Sequence, residues 1–247
     1  METTAQEPVE ASVTRRSQPL RTLAIDIGGT GIKAVTLSTT GKPLTERARV
    51  ETPRPATPAA VMNTIVELAK QQGEFDRVSV GFPGVVRRGV TVTAPNLNGR
   101  WAGFHLAEAL AKKLGKQVRV ANDADVQGFG VIAGHGVELV ITLGTGFGSG
   151  LFVDGKLVPN LELGHHPFQK GKTYEDLLGD AALKKVGKKK WNKRLVRAIQ
   201  TIERTFNYDR LYVGGGNAAR ITVKLPSNVK IVSNVAGLLG GLALWRD

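Results

Sequence analysis

The sequence predicts an α/β fold in which two similar lobes face each other across a cleft. Helical and strand-like segments alternate along the chain, a pattern typical of α/β proteins. A unit made of a strand, a glycine-rich turn and a second strand occurs twice, at residues 23–37 and at residues 139–153. In the two copies Gly28 corresponds to Gly144, and Asp26 corresponds to Thr142. Two related units of this kind favour two halves with a ligand cleft between them.

The individual elements follow from the spacing of apolar residues. Alternating apolar residues predict strands, and apolar residues three or four positions apart predict helices. In the first half of the chain these patterns predict strands at Leu23–Ile27, Lys33–Leu37, Arg47–Glu51, Arg77–Phe82 and Val118–Ala121, and helices at Ala59–Lys70 and Phe104–Leu114. In the second half they predict the hairpin Leu139–Val153, helices at Tyr174–Val186, Asn192–Phe206 and Val235–Trp245, and a strand at Arg210–Val213.

The domain organisation is predicted from the same pass along the chain. Residues 1–20 are polar and contain no apolar signal segment, so we expect a disordered tail. Residues 21–121 are predicted to form a small N-terminal lobe and residues 122–234 a larger C-terminal lobe. The final helix, within residues 235–247, is expected to pack back on the N-terminal lobe.

The composition of the 247-residue chain narrows the class of protein. No run of about 18 apolar residues is present, so no membrane span is expected. The absence of cysteine excludes disulfides and thiolate metal sites, which suits a reducing cytoplasm. Lys and Arg outnumber Asp and Glu by 34 to 21, and the net charge is +13. Such a chain attracts polyanions such as nucleic acid, anionic lipid or a phosphate polymer, although a basic surface can also serve solubility alone.

The two glycine-rich turns are candidate phosphate sites. Glycine reaches positive φ at no steric cost, and its missing side chain lets backbone N–H groups approach a ligand. Successive N–H groups in such a turn form a concave site for an anion. An ordinary tight hairpin is the alternative for either turn alone. Two matching turns, with hydroxyls at Thr30 and Thr145, favour successive phosphates of one ligand.

Other phosphate and metal motifs are excluded. The stretch Gly171-Lys172-Thr173 ends like a P-loop, but His166 stands where that motif requires glycine. No Gly-x-Gly-x-x-Gly follows a strand, so a dinucleotide fold is not indicated. His165 and His166 are adjacent, with no third ligand at a suitable spacing, and no zinc site is predicted.

Six short motifs occur together and in order. They are Asp26-Ile27-Gly28-Gly29-Thr30 with Lys33, Gly81-x-Pro83-Gly84, Asn122-Asp123-Ala124-Asp125, Gly144-Thr145-Gly146-x-Gly148, Glu162-x-Gly164-His165 and Gly214-Gly215-Gly216-Asn217. With this set, from about Thr22 to Trp245, the chain resembles the ROK family of sugar kinases in the actin/hexokinase-like superfamily. Within that family it looks most like the polyphosphate glucokinases.

The resemblance implies a two-lobed actin/hexokinase-like (ribonuclease H-like) fold with an interlobe cleft. It also implies phosphorylation of the 6-hydroxyl of glucose, Mg²⁺ as the cofactor, and a cytoplasmic homodimer. Many ROK members carry a cysteine-rich zinc motif where Gln169–Glu175 has no cysteine. ROK repressors add a helix-turn-helix domain, which twenty polar residues cannot supply. We therefore expect no zinc and no DNA partner.

The chemistry of sugar phosphorylation indicates roles for two carboxylates, one as a base and one as a metal ligand. The reaction needs a base for the hydroxyl proton, and Asp123 at the end of a predicted strand is the candidate. The resemblance places the family's catalytic aspartate there; the alternative role for Asp123 is to cap the following helix. Asp26 would repel a phosphate at the first turn unless a cation lay between them, so it is the candidate Mg²⁺ ligand, through water.

The remaining contacts are expected from the motifs and the resemblance. Phosphates are expected at Gly28, Gly29, Thr30, Lys33, Gly144, Thr145 and Gly146, although Lys33 could equally be a surface lysine. By resemblance, the sugar hydroxyls are expected to contact Asn96, Asn122, Asp123, Glu162, His165 and Glu175. Glu175 is the least secure of these, because the preceding segment departs from the family's cysteine pattern.

The phosphoryl donor is predicted from charge. A basic run forms a candidate polyphosphate track at Lys184, Lys185, Lys188, Lys189, Lys190, Lys193 and Arg194. A solvated helix face is the alternative. The turn at Gly215, Gly216 and Asn217 corresponds to the border of the superfamily's adenosine pocket, so ATP stays open as a donor. The other functions considered are an ATP-dependent glucokinase of the same fold and a non-catalytic sugar sensor that binds nucleic acid.

Overall fold

The computed structural model describes residues 19–233 and 239–246 of the chain. The strands are β1 Thr22–Ile27, β2 Gly31–Leu37, β3 Ala48–Glu51, β4 Arg77–Phe82, β5 Val86–Arg87, β6 Val90–Thr91, β7 Gln117–Asn122, β8 Val137–Leu143, β9 Phe147–Val153, β10 Lys156–Val158, β11 Pro167–Gln169, β12 Lys172–Thr173, β13 Arg210–Gly214 and β14 Val229–Ile231. The α-helices are α1 Pro58–Lys70, α2 Leu106–Leu114, α3 Asp123–Phe129, α4 Tyr174–Leu178 and α5 Asp180–Phe206. Short 3₁₀-helices span Leu163–His165, Ala218–Arg220 and Gly240–Trp245.

The two large sheets have the same topology. Their strand orders are β3-β2-β1-β4-β7 and β10-β9-β8-β13-β14. In each sheet three consecutive strands pair antiparallel, and two further strands join in parallel. The hairpins β1–β2 and β8–β9 therefore occupy equivalent places, which confirms the internal repeat predicted from the glycine turns.

Two predicted features differ from the structure. The predicted helix Tyr174–Val186 is not continuous, because extended Gly179 (φ −65°, ψ 169°) separates α4 from α5. The predicted break after Val186 is confirmed, because Gly187 (φ 74°, ψ 161°) is not helical and α5 consists of two helices that meet there at a kink, the second resuming at Lys188 rather than at Asn192. Of the predicted final helix, Gly240–Trp245 is a 3₁₀-helix. Residues 234–238 and 247, like 1–18 of the predicted tail, lie outside the described part of the chain.

Both faces of each large sheet are covered. Leu23, Ile25 and Ile27 of β1 pack in a core with α1 and α2, whereas Ala24 points to the opposite face and packs with Leu242. Strand β8 divides its side chains between two clusters in the same way. A strand buried on both sides shows a continuous apolar run rather than alternation. Within residues 19–233 and 239–246, no helix combines the length and the apolar character needed to cross a bilayer.

Helix α3 lies between the two sheets. It packs against β4 and β7 of one sheet and against β8 and β9 of the other. Within it, Gly128 leaves room for the Phe152 ring of β9, which a methyl group at that position would overlap. Because α3 contacts both sheets, its first residues lie where the two sheets approach each other. The lobe boundaries at residues 21–121 and 122–234 stay a prediction.

The 3₁₀-helix Gly240–Trp245 packs against α3 and the first sheet. The Ser79 hydroxyl donates to the Gly241 carbonyl oxygen at 2.6 Å and accepts from the Trp245 indole N–H at 2.8 Å. The guanidinium groups of Arg77 and Arg119 lie 4.9 and 4.6 Å from the centre of the Trp245 ring. These contacts attach this segment to β4, 162 residues earlier in the sequence at Ser79, and to β7, about 125 residues earlier at Arg119.

We predict that Gly240→Ala destabilises the fold. The added methyl group would overlap the Val126 carbonyl oxygen in α3 and lie 2.8 Å from its carbon, and α3 is held between two sheets. The expected loss in the free energy of unfolding is about 1–3 kcal/mol, measured by urea denaturation. Gly216→Ala is the control, because a methyl group there meets no atom within 4 Å. Equal losses in the two variants would contradict the packing argument.

Candidate active site

A cleft of about 440 Å³ lies between the two sheets. Its lining contains all the residues predicted to bind sugar, phosphate, metal or nucleotide: Asp26, Gly28, Gly29, Thr30, Lys33, Asn96, Asn122, Asp123, Gly144, Thr145, Gly146, Glu162, His165, Glu175, Gly215, Gly216 and Asn217. The structure therefore brings together in one cavity motifs that the chain spreads over nearly 200 residues.

The two glycine turns face each other in this cleft. A methyl group placed on Gly29 would lie 3.4 Å from the Asn96 side chain. One placed on Gly146 would lie 3.8 Å from the amide nitrogen of the same side chain. Asn96 thus stands between the turns, which are close enough for one ligand to contact both.

The conformational reason predicted for these glycines is wrong. None of Gly28, Gly29, Gly144 and Gly146 has a φ in the left-handed region. At Gly146 the constraint is space, since a methyl group there would overlap the Glu175 carboxylate, whereas one on Gly144 would meet no atom within 4 Å. One on Gly28 would lie 2.9 Å from the Gly31 carbonyl oxygen.

The backbone N–H groups divide into two kinds. Those of Gly28 and Gly144 close their own turns, donating to the carbonyl oxygens of Gly31 at 3.0 Å and Gly146 at 3.1 Å. Gly28 and Gly144 therefore shape the turns rather than offering an N–H to a ligand. Within the described part of the chain, the N–H groups of Gly29, Thr30, Thr145 and Gly146 have no acceptor. Donors of this kind fit the oxygens of an anion.

Asp123 is the first residue of α3 and follows directly on β7. Asn122 is the helix cap, so the predicted alternative of Asp123 as the cap is wrong. The Asn122 side-chain oxygen accepts from the Ala124 N–H at 2.8 Å and the Asp125 N–H at 3.3 Å. The Asn122 amide group also donates to the Gly84 carbonyl oxygen at 3.2 Å. With Asn122 fixed in this way, the neighbouring Asp123 side chain is directed into the cleft.

The environment of Asp123 keeps its carboxyl group protonated at unusually high pH. Burial in the cleft and the nearby Asp26 carboxylate raise its pKa to about 7, with smaller contributions in the same direction from Glu162 and Asp125. A hydrogen bond from the Ala124 N–H opposes them. A carboxyl group with a pKa near neutrality suits a general base that must accept and release a proton.

Asp26 and Lys33 form an ion pair at the first turn. The two residues are opposite each other in the β1–β2 ladder, and Lys33 Nζ lies 2.7 Å from Asp26 Oδ2. Both side chains are about 30% exposed, so they remain accessible to a ligand. Gly81 lies beside Asp26 on β4, and a methyl group at Gly81 would lie 3.5 Å from Asp123 Cα and 3.7 Å from Asp123 Cβ.

Three of the residues predicted to bind the sugar, Asn122, Glu162 and His165, form a polar group in the cleft. Glu162 Oε2 lies 3.4 Å from His165 Nε2, and Glu162 Oε1 lies 3.5 Å from the Asn122 amide nitrogen. Burial, helped by Glu175, raises the pKa of Glu162, and His165 opposes this. Glu175 has a contact that the sequence did not predict: its carboxylate accepts from the Phe147 N–H at 3.0 Å, which fixes the second turn.

The turn at Gly215–Asn217 is hydrogen-bonded to the second glycine turn and to the end of β8. The Asn217 amide group donates to the Gly144 carbonyl oxygen at 3.3 Å, and the Asn217 N–H donates to the Leu143 carbonyl oxygen at 2.9 Å. Gly215 has φ +89°, and a methyl group there would overlap the Leu143 backbone. These contacts give this turn a structural role as well as a place in the cleft lining.

Two carboxylates near the cleft were missed by sequence reasoning. Asp125 is buried; its pKa is raised to about 7 by burial, with Glu162 adding to the effect and a hydrogen bond from the Asn160 backbone opposing it. Asp180 lines the cleft and pairs with Lys184 at 2.6 Å. The second Asp of the Asn122–Asp125 motif was visible in the sequence, but nothing there showed that it would be buried.

The predicted basic track lies outside the cleft. None of its seven residues lines the cleft, and all belong to α5. Lys190, Lys193 and Arg194 line a second cavity. Within the described residues, no three carboxylate or histidine side chains converge as a protein-held metal ion would require.

The sequence pattern of the ROK family matches residues 22–177. The chain belongs to the ROK family. This ROK protein is 35% identical over 234 residues to a polyphosphate glucokinase of Mycobacterium tuberculosis, covering 87% of this chain and 88% of the relative. A glucokinase of Streptomyces coelicolor is 35% identical over 146 residues, or 55% of this chain and 44% of the relative.

Solved structures agree with the family. The inorganic polyphosphate/ATP-glucomannokinase of Arthrobacter sp. strain KM superposes with a TM-score of 0.81 at 35% identity, covering 91% of this ROK protein and 97% of that chain. A ROK glucokinase from Streptomyces griseus, at 20% identity and a TM-score of 0.76, covers 91% of this chain and 98% of its own and shows the shared fold. The fold is thus the two-lobed actin/hexokinase-like fold, and the chain is a sugar kinase.

We predict that Asp26→Asn lowers the pKa of Asp123. The substitution removes a negative charge that disfavours the Asp123 carboxylate, and it leaves the Lys33 charge unpaired nearby, which acts in the same direction. A fall of about one unit from the present value is expected, with burial keeping the pKa above that of an exposed aspartate. Carbon-13 NMR titration of labelled aspartate measures it directly. Glu67→Gln, at an exposed side chain of α1, is the control, and an unchanged Asp123 titration in Asp26→Asn would contradict the coupling.

Proposed function

We propose that this ROK protein is a polyphosphate glucokinase, which transfers the terminal phosphoryl group of inorganic polyphosphate to the 6-hydroxyl of glucose. The observation that carries the proposal is the position of Asp123, a carboxyl group of pKa about 7 in the same cleft as two facing glycine turns. The identity and coverage of the mycobacterial polyphosphate glucokinase and the Arthrobacter polyphosphate/ATP-glucomannokinase support this choice of donor.

The reaction needs no further co-reactant. The glucose 6-oxygen attacks the terminal phosphorus of the donor while its proton passes to the Asp123 carboxylate. The bond between that phosphorus and the bridging oxygen breaks, and the shortened polyphosphate leaves with the electron pair of that bond. The N–H groups at Gly29, Thr30, Thr145 and Gly146 stabilise the charge on the phosphate oxygens. Asp123 then releases its proton to solvent, which a pKa near 7 permits at neutral pH.

The sugar is held by the polar group around Glu162. Carboxylate and imidazole side chains offer the acceptors and donors that sugar hydroxyls require. Asn96, Asn122, Glu162 and His165 line the same cleft as Asp123, and Glu162 is near enough to raise the pKa of Asp123, so a sugar bound to them would present a hydroxyl to the base. Glu175 extends this group, although its contact with Phe147 also gives it a part in shaping the phosphate turn.

The donor set fits Mg²⁺ that arrives with the phosphate. Asp26 is a single partly exposed carboxylate beside the first turn, and the described residues form no three-ligand cage around it. Magnesium in kinase sites is held by one or two carboxylates together with waters and substrate phosphates. Asp26 would hold the ion, through water, and the bound ion would offset the negative charge of the phosphate oxygens. Lys33, already paired with Asp26, would contact the same phosphates.

ATP is a second candidate donor. The turn at Gly215, Gly216 and Asn217 lines the same cleft as the phosphate turns, where an adenosine could lie beyond its phosphates. A sugar sensor that binds nucleic acid is less well supported, because Asp123 and both turns retain the arrangement that catalysis needs. The homodimer, the cytoplasmic location and the absence of a DNA partner stay predictions.

We predict that Asp123→Asn loses about 10²–10⁴-fold in kcat, because the amide cannot accept the proton. Coupled detection of glucose 6-phosphate measures turnover, and calorimetry measures glucose binding, which should persist. Asp154→Asn is the matched control, because Asp154 lies on an exposed turn and at φ +48° asparagine is well tolerated. Near-normal turnover in Asp123→Asn would remove this residue from the role of base.

The pH dependence of kcat/KM for glucose should show one acidic limb near pH 7. The base works as a carboxylate, and the raised pKa means that the protonated, inactive form predominates below about 7. Activity should therefore fall about tenfold for each further unit of pH. In Asp26→Asn the limb should move to lower pH. A limb at pH 4, the range of an ordinary aspartate, would contradict the assignment.

The donor is decided by one assay with three arms. Purified protein is given glucose with long-chain polyphosphate, with ATP, or with neither, and glucose 6-phosphate is measured. Product with polyphosphate supports the proposal; product with ATP alone identifies an ATP-dependent glucokinase of the same fold. No product in any arm would overturn the kinase proposal. Mannose in place of glucose tests whether the sugar range of the Arthrobacter relative is shared.

A further inference from the structure

A second cavity, of about 370 Å³, lies outside the cleft in the part of the chain that follows α3. It is bounded by α5, by the end of α4 and by the β11–β12 hairpin. Eight residues line it: Gln169, Lys170, Lys172, Leu177, Lys190, Lys193, Arg194 and Arg197. Six of the eight are cationic, and no carboxylate is among them. We call it the basic cavity.

The fold, rather than the sequence run, assembles these charges. Residues 190, 193, 194 and 197 are spaced by three, four and seven positions, so they lie on one face of α5. The hairpin turn, with Lys170 at φ +52° and Gly171 at φ +70°, brings two further lysines to the same cavity. Arg194 is held in place by its guanidinium group, which donates to the Leu177 carbonyl oxygen at 3.3 Å. Three members of the predicted track thus join three cations that the track did not include.

The positive charges of the basic cavity are uncompensated. Among the residues that the structure describes, none of the six forms an ion pair with a carboxylate. Lys184, on the same helix, differs because it is paired with Asp180. Lys172 has only a weak influence on the exposed Asp176, whose pKa is lowered mainly by hydrogen bonds from Thr173. Like charges gathered without partners repel one another, so an anion in the cavity would relieve the repulsion.

We propose that the basic cavity anchors the part of a polyphosphate chain that lies beyond the reacting end. This inference rests on the proposed function and extends it by naming a second subsite for the same substrate. The cavity lining suits condensed phosphate better than nucleic acid, because its only uncharged side chains are Gln169 and Leu177. Single-stranded nucleic acids are held by aromatic side chains on which bases stack, and no aromatic residue lines this cavity.

The cavity and the cleft lie on either side of α4. Glu175 lines the cleft and Leu177 lines the basic cavity, and residues two positions apart point about 200° apart around a helix. A chain reaching from one site to the other must therefore pass a helix about 10–12 Å across. Long polyphosphate can span that distance, whereas tripolyphosphate cannot occupy both sites. Linking two sites in one ligand raises apparent affinity without any new contact in the cleft.

The test compares two triple variants that remove the same charge. Lys190→Gln, Lys193→Gln and Arg197→Gln together should raise the KM for long-chain polyphosphate about tenfold or more and weaken its salt dependence. The KM values for tripolyphosphate, ATP and glucose should stay within twofold. Lys42→Gln, Lys112→Gln and Lys156→Gln, exposed lysines elsewhere on the surface, should leave all of these values within twofold. An equal rise in the KM for tripolyphosphate would overturn a separate anchoring site.

A third triple variant and a binding measurement complete the test. Lys185, Lys188 and Lys189 lie on α5 but outside the cavity lining, so changing all three to Gln should have a clearly smaller effect on the KM for long-chain polyphosphate. An equal effect would show that polyphosphate binds to a diffuse basic face rather than to the cavity.

Calorimetry of long-chain polyphosphate with Asp123→Asn reports binding without turnover. Adding the cavity triple variant to Asp123→Asn should weaken this binding about tenfold or more. Stronger binding of single-stranded DNA than of polyphosphate at the cavity would overturn the choice of ligand. If the wild type shows no turnover but polyphosphate still binds to the cavity, the proposed function is rejected and the binding site in the basic cavity is not.

Discussion

Desolvation of the Asp123 carboxylate, reinforced by the charge of Asp26, is the interaction on which the rest of the site depends. The N-terminus of a helix normally favours a negative side chain, and the Ala124 N–H does lower the pKa of Asp123. Burial and a second carboxylate outweigh that effect. The result is a group that can hold or release a proton near neutral pH, at the point where the two sheets approach each other.

The duplicated sheet explains why two glycine-rich turns lie in one cleft. Each sheet places a hairpin at the same point of its topology, and the two hairpin turns meet across the cavity. The copies have diverged in what surrounds them. The first turn carries the Asp26–Lys33 pair, whereas the second is fixed by Glu175 and Asn217. One architecture thus places an ion pair at the first turn and a turn held by hydrogen bonds at the second.

The sequence predicted the fold class, the repeat and the membership of the cleft, because these depend on local patterns and on motifs that occur in order. It predicted the wrong reason for the glycines, since a close approach by Glu175 is a tertiary contact with no local signal. It predicted the break at Gly187 in α5, but it missed the break at extended Gly179, where the chain passes from α4 to α5. The basic cavity was only partly visible, because Lys170 and Lys172 reach it through the folding of a hairpin distant from the lysine run.

The contacts of Gly240–Trp245 also affect the order in which the molecule can fold. Ser79 and Gly241 are 162 residues apart, and their hydrogen bond closes a loop that contains the whole second sheet. During synthesis the face of the first sheet that carries Ala24 must wait for Leu242 before it is covered. Closing so long a loop is slow compared with forming a local hairpin. All five strands of the first sheet thus precede residue 123, whereas the residue that covers this apolar face comes more than a hundred residues later.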